Sequence, residues 1–519
     1  MRTTRSLFAL ASLVLLLSAC QKENSTPASS GTQLSSELIS NDANRLITLS
    51  EPLSQTALDE LVIASLERDG DFRWENAPLD WTWSALFDGE QALAIGYQPA
   101  GMVDIESNMH KINLQSGVWK ETHDALVDEI LSILSSENRN GALRLQDILI
   151  EDDPTLPILT IRTTSKKLVE RLANLSNVRY LEPLDYWPGI DNDRSTSGCS
   201  VSSTSLNSAD YTTIAPNCLL PWNFNNIQVP GAWSMANGQN ITIGVIDAGI
   251  SSAQTLLGSN FNNGESNAGR VITTDYTWGT SAYTSCSHGT SMCGTAVGPK
   301  NNTGASTGIA YKSNLHFIRG CEDVVLDKSS ERTGVKNALI KMGNKTDVRI
   351  VSMSIGTPFY SSVLYDGVVY ANNMGKLLLA AAGTSFSWTS WWGVVYPAAH
   401  SQCVAVTGVK ENYNTCSSCH DGSEVDLTVV MERSSNSDRN SLSLRPSGTS
   451  PSYIGGSSIA TASVAGVAGL VWSLNPNFTK TQVYNFIKNT SQYYPGYSSY
   501  TGYGNVNAQA AVAAAQAAL

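Results

Sequence analysis

The sequence predicts an α/β protein in which a mostly parallel sheet is flanked by helices, preceded by a small ferredoxin-like α+β unit. Three stretches carry that expectation. Ile241-Thr242-Ile243-Gly244-Val245-Ile246 is an apolar run of strand length that ends in Asp247, the pattern of a strand buried on both faces. Gly455 to Leu470 is small or apolar on nearly every side, which suits a helix in the middle of a large domain rather than on its surface. Between residues 92 and 186 the patterning reads strand, helix, strand, strand, helix, strand, the order of a ferredoxin-like unit.

Length and charge bound the rest. A chain of 519 residues exceeds one ordinary core and predicts two or three domains. Hydrophobic residues make up 42%, enough for a packed globule. The formal net charge is -12 and no basic stripe is present, so no nucleic-acid partner is expected. Arg2 and Arg5 precede an apolar core from Leu7 to Leu17, followed by Ser18-Ala19-Cys20. A positive start, a short apolar core and small residues mark an export signal over residues 1–19. Cys20 resembles the cysteine of a bacterial lipobox. That resemblance implies cleavage before Cys20, lipidation of its thiol and tethering to a membrane; the alternative is an ordinary secretory signal. Residues 20–40 read as a flexible tether, since Ser, Thr, Asn and Gly recur from Gln21 to Ser36. No apolar run after residue 20 is long enough to span a bilayer. The other eight cysteines are Cys199, Cys218, Cys286, Cys293, Cys321, Cys403, Cys416 and Cys419. An even number in an exported chain favours disulfides, with about 105 connectivities open.

Residues 41–91 form an N-terminal extension. Leu58, Leu61, Val62 and Leu66 recur at helical spacing within Ser54 to Arg68. Trp81 to Phe87 and Ala92 to Tyr97 flank Asp88-Gly89, a hairpin signal. Trp74, Trp81 and Trp83 are a ligand platform or, more commonly for such clusters, core. Residues 92–188 hold the α+β unit. Its first strand lies at Ala92 to Tyr97 or Gly101 to Ile105, and a helix follows with Leu126, Ile130 and Leu134 on one face. Arg144 to Glu151 and Pro157 to Thr163 read as strands, Ser165 caps a helix through Leu175, and Val178 to Tyr186 is a last strand. Residues 189–221 read as a linker. Asp191 to Pro216 is rich in Ser, Thr, Asp and Asn, as are segments where chains are cut. Cleavage is expected between Asp191 and Trp222, a window that Cys199 and Cys218 could staple.

Residues 222–519 carry the chemistry. Asp247 closes the buried-strand pattern, where α/β sheets place their sites; a turn cap is the alternative for a lone strand-end Asp. His288 heads Ser287-His288-Gly289-Thr290-Ser291-Met292-Cys293-Gly294-Thr295-Ala296, small residues that suit a buried helix, and a lone His is often structural. Ser457 and Ser458 fall at a helix N-terminus, where free N–H groups and the dipole favour the negative charge of an oxyanion; either serine could instead be a simple N-cap. Together the three give the order Asp…His…Ser.

Each lies in a motif that resembles the subtilase family: Val245-Ile246-Asp247-Ala248-Gly249-Ile250, His288-Gly289-Thr290, and Gly456-Ser457-Ser458-Ile459-Ala460 followed by Val464-Ala465-Gly466. Gly308-Ile309-Ala310, Ser352-Met353-Ser354-Ile355-Gly356, Asn475-Pro476 and Gly502-Tyr503-Gly504-Asn505-Val506-Asn507-Ala508 resemble further family segments, so the likeness spans residues 222 to 515. Leu168-Val169-Glu170-Arg171-Leu172-Ala173 and Val178-Arg179-Tyr180-Leu181-Glu182-Pro183 resemble the family's propeptide, which assists folding and then inhibits the enzyme. The resemblance implies a subtilisin-like fold and a serine endopeptidase made as an exported zymogen, acting on protein or peptide substrates. Ser458 is then the nucleophile, His288 the general base and Asp247 its orienting carboxylate. The Ser458 N–H is one oxyanion donor. Ser354, Ile355 and Gly356, with Ala381, Ala382 and Gly383, hold the peptide as an added strand.

The chain also departs from the family. Thr384 stands where an asparagine usually supplies the second oxyanion donor, Ser457 replaces a threonine, and Ala462 replaces a proline. Cys416-Ser417-Ser418-Cys419-His420 matches the C-x-x-C-H pattern of haem attachment, although a disulfide or buried thiols fit its position within the domain better. Cys293 reads as buried filler or half of a disulfide. No cofactor is expected; calcium often binds this family, but no residue set here matches a site. Two rival readings remain: a catalytically impaired surface lipoprotein that acts as a binding protein, and an electron carrier with haem at Cys416–His420.

Overall fold

The computed structural model describes residues 45–139, 141–189, 199–286, 288–384 and 393–519. Residues 1–44, where an export signal, lipidation at Cys20 and a tether are expected, and residues 190–198 of the expected linker lie outside the described residues.

Residues 45 to 91 begin with the helix Gln55–Asp69, capped by Ser54 accepting from the Ala57 N–H. The hairpin expected around Asp88-Gly89 is not formed, because Leu79–Ala85 is a helix. Its Trp83 is buried, and Trp74 and Trp81 pack against Phe72 and Leu58. Burial of the indoles outweighs the β preference of Trp81-Thr82-Trp83, and the tryptophans are core.

The α+β unit has a four-stranded antiparallel sheet ordered Leu149–Asp152, Ile158–Arg162, Ala92–Tyr97, Val178–Pro183. Ala92–Tyr97 is its first strand, and Gly101 to Ile105 is none. Arg144 to Glu151 divides into a helical turn, Leu145–Ile148, and a shorter strand, because the Asp147 carboxylate accepts from the Arg144 N–H and fixes the turn. Ser165 accepts from the Leu168 N–H and starts the helix Lys166–Ala173. Alternation along the first strand divides two cores. Leu93 and Ile95 pack on Leu126, Ile130, Leu168 and Leu172 of the unit's own helices. Ala92 and Ala94 join Ile340, Val363, Val369 and Tyr370, which belong to the helices Ser329–Asn344 and Ser362–Asn373.

Polar groups bind the same two helices. Asp366, fully buried, accepts from Arg179 through both carboxylate oxygens at 2.8 and 2.9 Å and from the Tyr180 hydroxyl at 2.9 Å. Lys336, also fully buried, reaches Glu151 at 3.0 Å and Asp153. Glu182 accepts from the Val363 N–H at 3.1 Å, in the first turn of its helix. Removing one partner of such a buried pair costs about 3–5 kcal/mol, because the other charge stays desolvated.

The larger part is organised by a nine-stranded sheet ordered Ser452–Ile454, Asn436–Ser443, Val425–Arg433, Cys403–Lys410, Leu377–Ala381, Val348–Met353, Thr242–Asp247, Asn314–Arg319, Ile272–Tyr276. From Ile272–Tyr276 to Val425–Arg433 neighbours are parallel; the last two strands are antiparallel. The parallel strand Thr242–Asp247 is buried throughout, as its unbroken apolar run requires. Under the sheet lies the helix Gly456–Ser473. It is long and apolar enough to cross a membrane, but 89% of it is buried in this core. Its small residues permit that packing: a Cβ on Gly466 would fall 2.6 Å from the Ile309 Cβ.

Candidate active site

Asp247 ends its strand fully buried, and its Oδ1 accepts from the Ala248 N–H at 2.7 Å. His288 opens the helix His288–Val297, 3% exposed. The two elements meet because Gly289 lacks a side chain: a Cβ there would fall 2.3 Å from the Gly249 carbonyl oxygen. A bond from the Ser251 N–H to the Thr290 hydroxyl, 2.9 Å, fastens the loop to the helix. Nδ1 of His288 then lies 2.9 Å from each oxygen of Asp247. A carboxylate accepts, so Nδ1 carries the proton and Nε2 keeps its lone pair. Burial pushes the imidazole pKa down, but the Asp247 charge and hydrogen bond outweigh it, and the ring is held above its ordinary value.

Ser458 is third in the helix Gly456–Ser473, in the first turn, whose N–H groups have no intrahelical acceptor. Its carbonyl accepts from the Ser354 hydroxyl at 3.0 Å, which ties this turn to the end of Val348–Met353. Among the described residues no hydrogen bond joins the Ser458 hydroxyl to His288. Such contacts are often long in unliganded sites and tighten when substrate binds.

Thr384 and Ser457 form one hydroxyl pair. The Ser457 N–H donates to Thr384 Oγ1 at 3.3 Å, the two hydroxyl oxygens are 3.2 Å apart, and the Gly383 N–H donates to Ser457 Oγ at 3.1 Å. When the Ser457 hydroxyl donates to Thr384 Oγ1, the Thr384 hydroxyl is left free to donate elsewhere.

The pocket beside Ser458 has both expected strands on its walls. Ser354, Ile355 and Gly356 line one side, Ala381, Gly383 and Thr384 another. Ala382 is not among the lining residues; its N–H donates to Val406 and its carbonyl accepts from Val395. Val324, Val325, Val395 and His420 also line it and were not foreseen as site residues. The Gly356 N–H donates to the Val324 carbonyl and its carbonyl accepts from the Leu326 N–H, both at 2.9 Å, so the edge of Ser354–Gly356 is already occupied. A single such bridge leaves no periodic trace in sequence.

Two disulfides are present among the described residues, Cys199–Cys286 and Cys416–Cys419. Cys199 therefore pairs not with Cys218, which is a buried free thiol like Cys293, Cys321 and Cys403, but with a residue two before His288, which the fold brings beside the linker. Oxidation of Cys416 and Cys419 consumes both thiols that a haem would need. Among the described residues no group of three or more His, Cys, Asp or Glu is arranged to hold a metal ion.

Comparison with known proteins agrees with this architecture. Residues 238–504 match the model of the subtilase family, peptidase S8. Subtilisin E of Bacillus subtilis (strain 168) is 31% identical over 299 residues, covering 56% of this chain and 71% of that protein. The subtilisin of Bacillus pumilus is 32% identical over 299 residues, covering 56% of this chain and 98% of its own length. Among solved structures, fervidolysin from Fervidobacterium pennivorans, a keratinolytic enzyme related to subtilisin, aligns with a TM-score of 0.55 at 18% identity, over 81% of this chain and 60% of that one; at that identity it bears on the fold alone. With its sheet, its buried Asp–His pair and its serine-headed helix matched by the family model over half its length, the chain belongs to the subtilase family of serine-type endopeptidases.

Proposed function

We propose that Asp247, His288 and Ser458 are the catalytic triad of this endopeptidase, and that the chain is exported as a zymogen. The observation that carries the reading is the buried bond from His288 Nδ1 to Asp247, which leaves Nε2 as the base, together with Ser458 at the head of a buried helix beside a lined pocket. Ser458 attacks the scissile carbonyl, His288 Nε2 takes its proton and later returns it to the leaving amine, and Asp247 stabilises the imidazolium. The Ser458 N–H and the Thr384 hydroxyl receive the oxyanion. The peptide lies as a strand along Ser354–Gly356 and, to gain the Gly356 main chain, displaces residues 324 to 326.

Residues 92–188 act as the propeptide and inhibitor. Their paired charges and apolar contacts on the helices Ser329–Asn344 and Ser362–Asn373 support that role. Maturation cuts between Asp191 and Trp222, and lipid on Cys20 tethers the chain to the membrane.

Labelling with a fluorophosphonate probe tests the reading. The processed protein should react at Ser458, and Ser458→Ala should neither react nor process itself. An unlabelled wild-type protein that behaves like Ser458→Ala would instead make it an impaired binding protein.

A further inference from the structure

One polar group in the pocket takes no part in the proposed chemistry. His420 is 4% exposed and lines the pocket with Ser458, among Ile355, Pro358 and Val395. Its Nδ1 is 2.9 Å from the Gly393 carbonyl oxygen. A carbonyl only accepts, so Nδ1 carries the ring proton and Nε2 presents a lone pair. Nε2 is buried and has no hydrogen-bond partner among the described residues. Burial lowers the ring's pKa, against smaller opposing effects of Gly393 and Asp421, which keeps it neutral.

The ring is also held in place. The His420 N–H donates to Gly383 at 3.0 Å, its carbonyl accepts from the Thr407 hydroxyl, and the Cys416–Cys419 disulfide immediately precedes it. The ring occupies space that Gly383 leaves open, where a Cβ would fall 2.4 Å from Nδ1. A buried acceptor without a partner is destabilising, and an incoming donor relieves it.

We propose that His420 is a specificity-determining residue, selecting substrates whose P1 side chain carries an uncharged hydrogen-bond donor, an amide or a hydroxyl. The inference rests on the endopeptidase reading above. Val324 and Val325 line the same pocket, so the peptide that displaces them enters the pocket that the ring lines. A P1 hydrocarbon leaves Nε2 unpaired. A P1 carboxylate sets lone pair against lone pair, and a P1 ammonium finds no carboxylate among the described lining residues.

Internally quenched peptides identical except at P1 test this on the self-processed protein, as kcat/KM ratios for the near-isosteric pairs Asn/Leu, Gln/Met and Thr/Val. The donor-bearing member should be preferred by about tenfold, as expected when a buried acceptor gains or loses its partner. His420→Phe should bring the ratios to one or below, and His420→Gln, which can still offer an acceptor, should restore part of the preference. Wild-type ratios at or below one overturn the proposal whether or not either variant folds, and so do ratios unchanged in His420→Phe. Absence of any Ser458-dependent cleavage across the series overturns the endopeptidase reading itself.

Discussion

At the scale of single residues, His288 is expected to set the working pH if it acts as the general base. Its folded pKa is raised by Asp247, and catalysis needs the neutral ring, so kcat/KM should climb with pH through a value above that of free imidazole and fall on acidification. Asp247→Asn should lower kcat by about 10⁴-fold through the wrong tautomer and move the limb downward; a pH–rate profile of both proteins reads the two effects. Thr384 is the second residue to test. Loss of one oxyanion donor costs on the order of 10²–10³ in turnover, so Thr384→Val should reduce kcat by about that factor with little change in KM. Asp247, His288 and Ser458, the residues proposed as the triad, stood out in sequence because each lies within its own short motif. The hydroxyl pair of Thr384 and Ser457 was not, since it joins residues 73 apart, and neither was His420, which the C-x-x-C-H spacing drew toward haem.

At the scale of elements, sequence was most reliable where burial is uniform. Thr242–Asp247 is buried throughout and Gly456–Ser473 nearly so, and no amphipathic alternative competes. It misled where local propensity and packing disagreed, as at Leu79–Ala85, whose tryptophans suggested a strand and whose burial produced a helix. The bridge between Val324–Leu326 and Gly356 leads to an expectation of its own. In a crystal structure with a peptidyl inhibitor of four or more residues, the two 2.9 Å bonds of Gly356 should be replaced by bonds to the inhibitor. If both bonds persist, the peptide does not bind along this edge.

At the scale of the whole molecule, the Cys199–Cys286 disulfide would couple the proposed maturation to redox state if the cut falls after Cys199. A cut before Cys199 frees the N-terminal part without reduction. A cut between Cys199 and Trp222 leaves it bonded two residues from His288 until the disulfide is reduced. Gels of the processed protein with and without reductant, together with the mass of the mature N-terminus, distinguish the two; a fragment released only by reductant places the cut after Cys199.

The fold class, the order of elements in the α+β unit and the three residues proposed as the triad could all be read from the chain alone, because periodicity and short motifs are local properties of the chain. Only the tertiary structure decided which cysteines pair, that Gly356 is already bonded to residues 324–326, and that His420 shares a pocket with Ser458. These depend on approaches between segments far apart in sequence, where one backbone bond or one absent Cβ fixes the geometry, and no repeat in the chain records them.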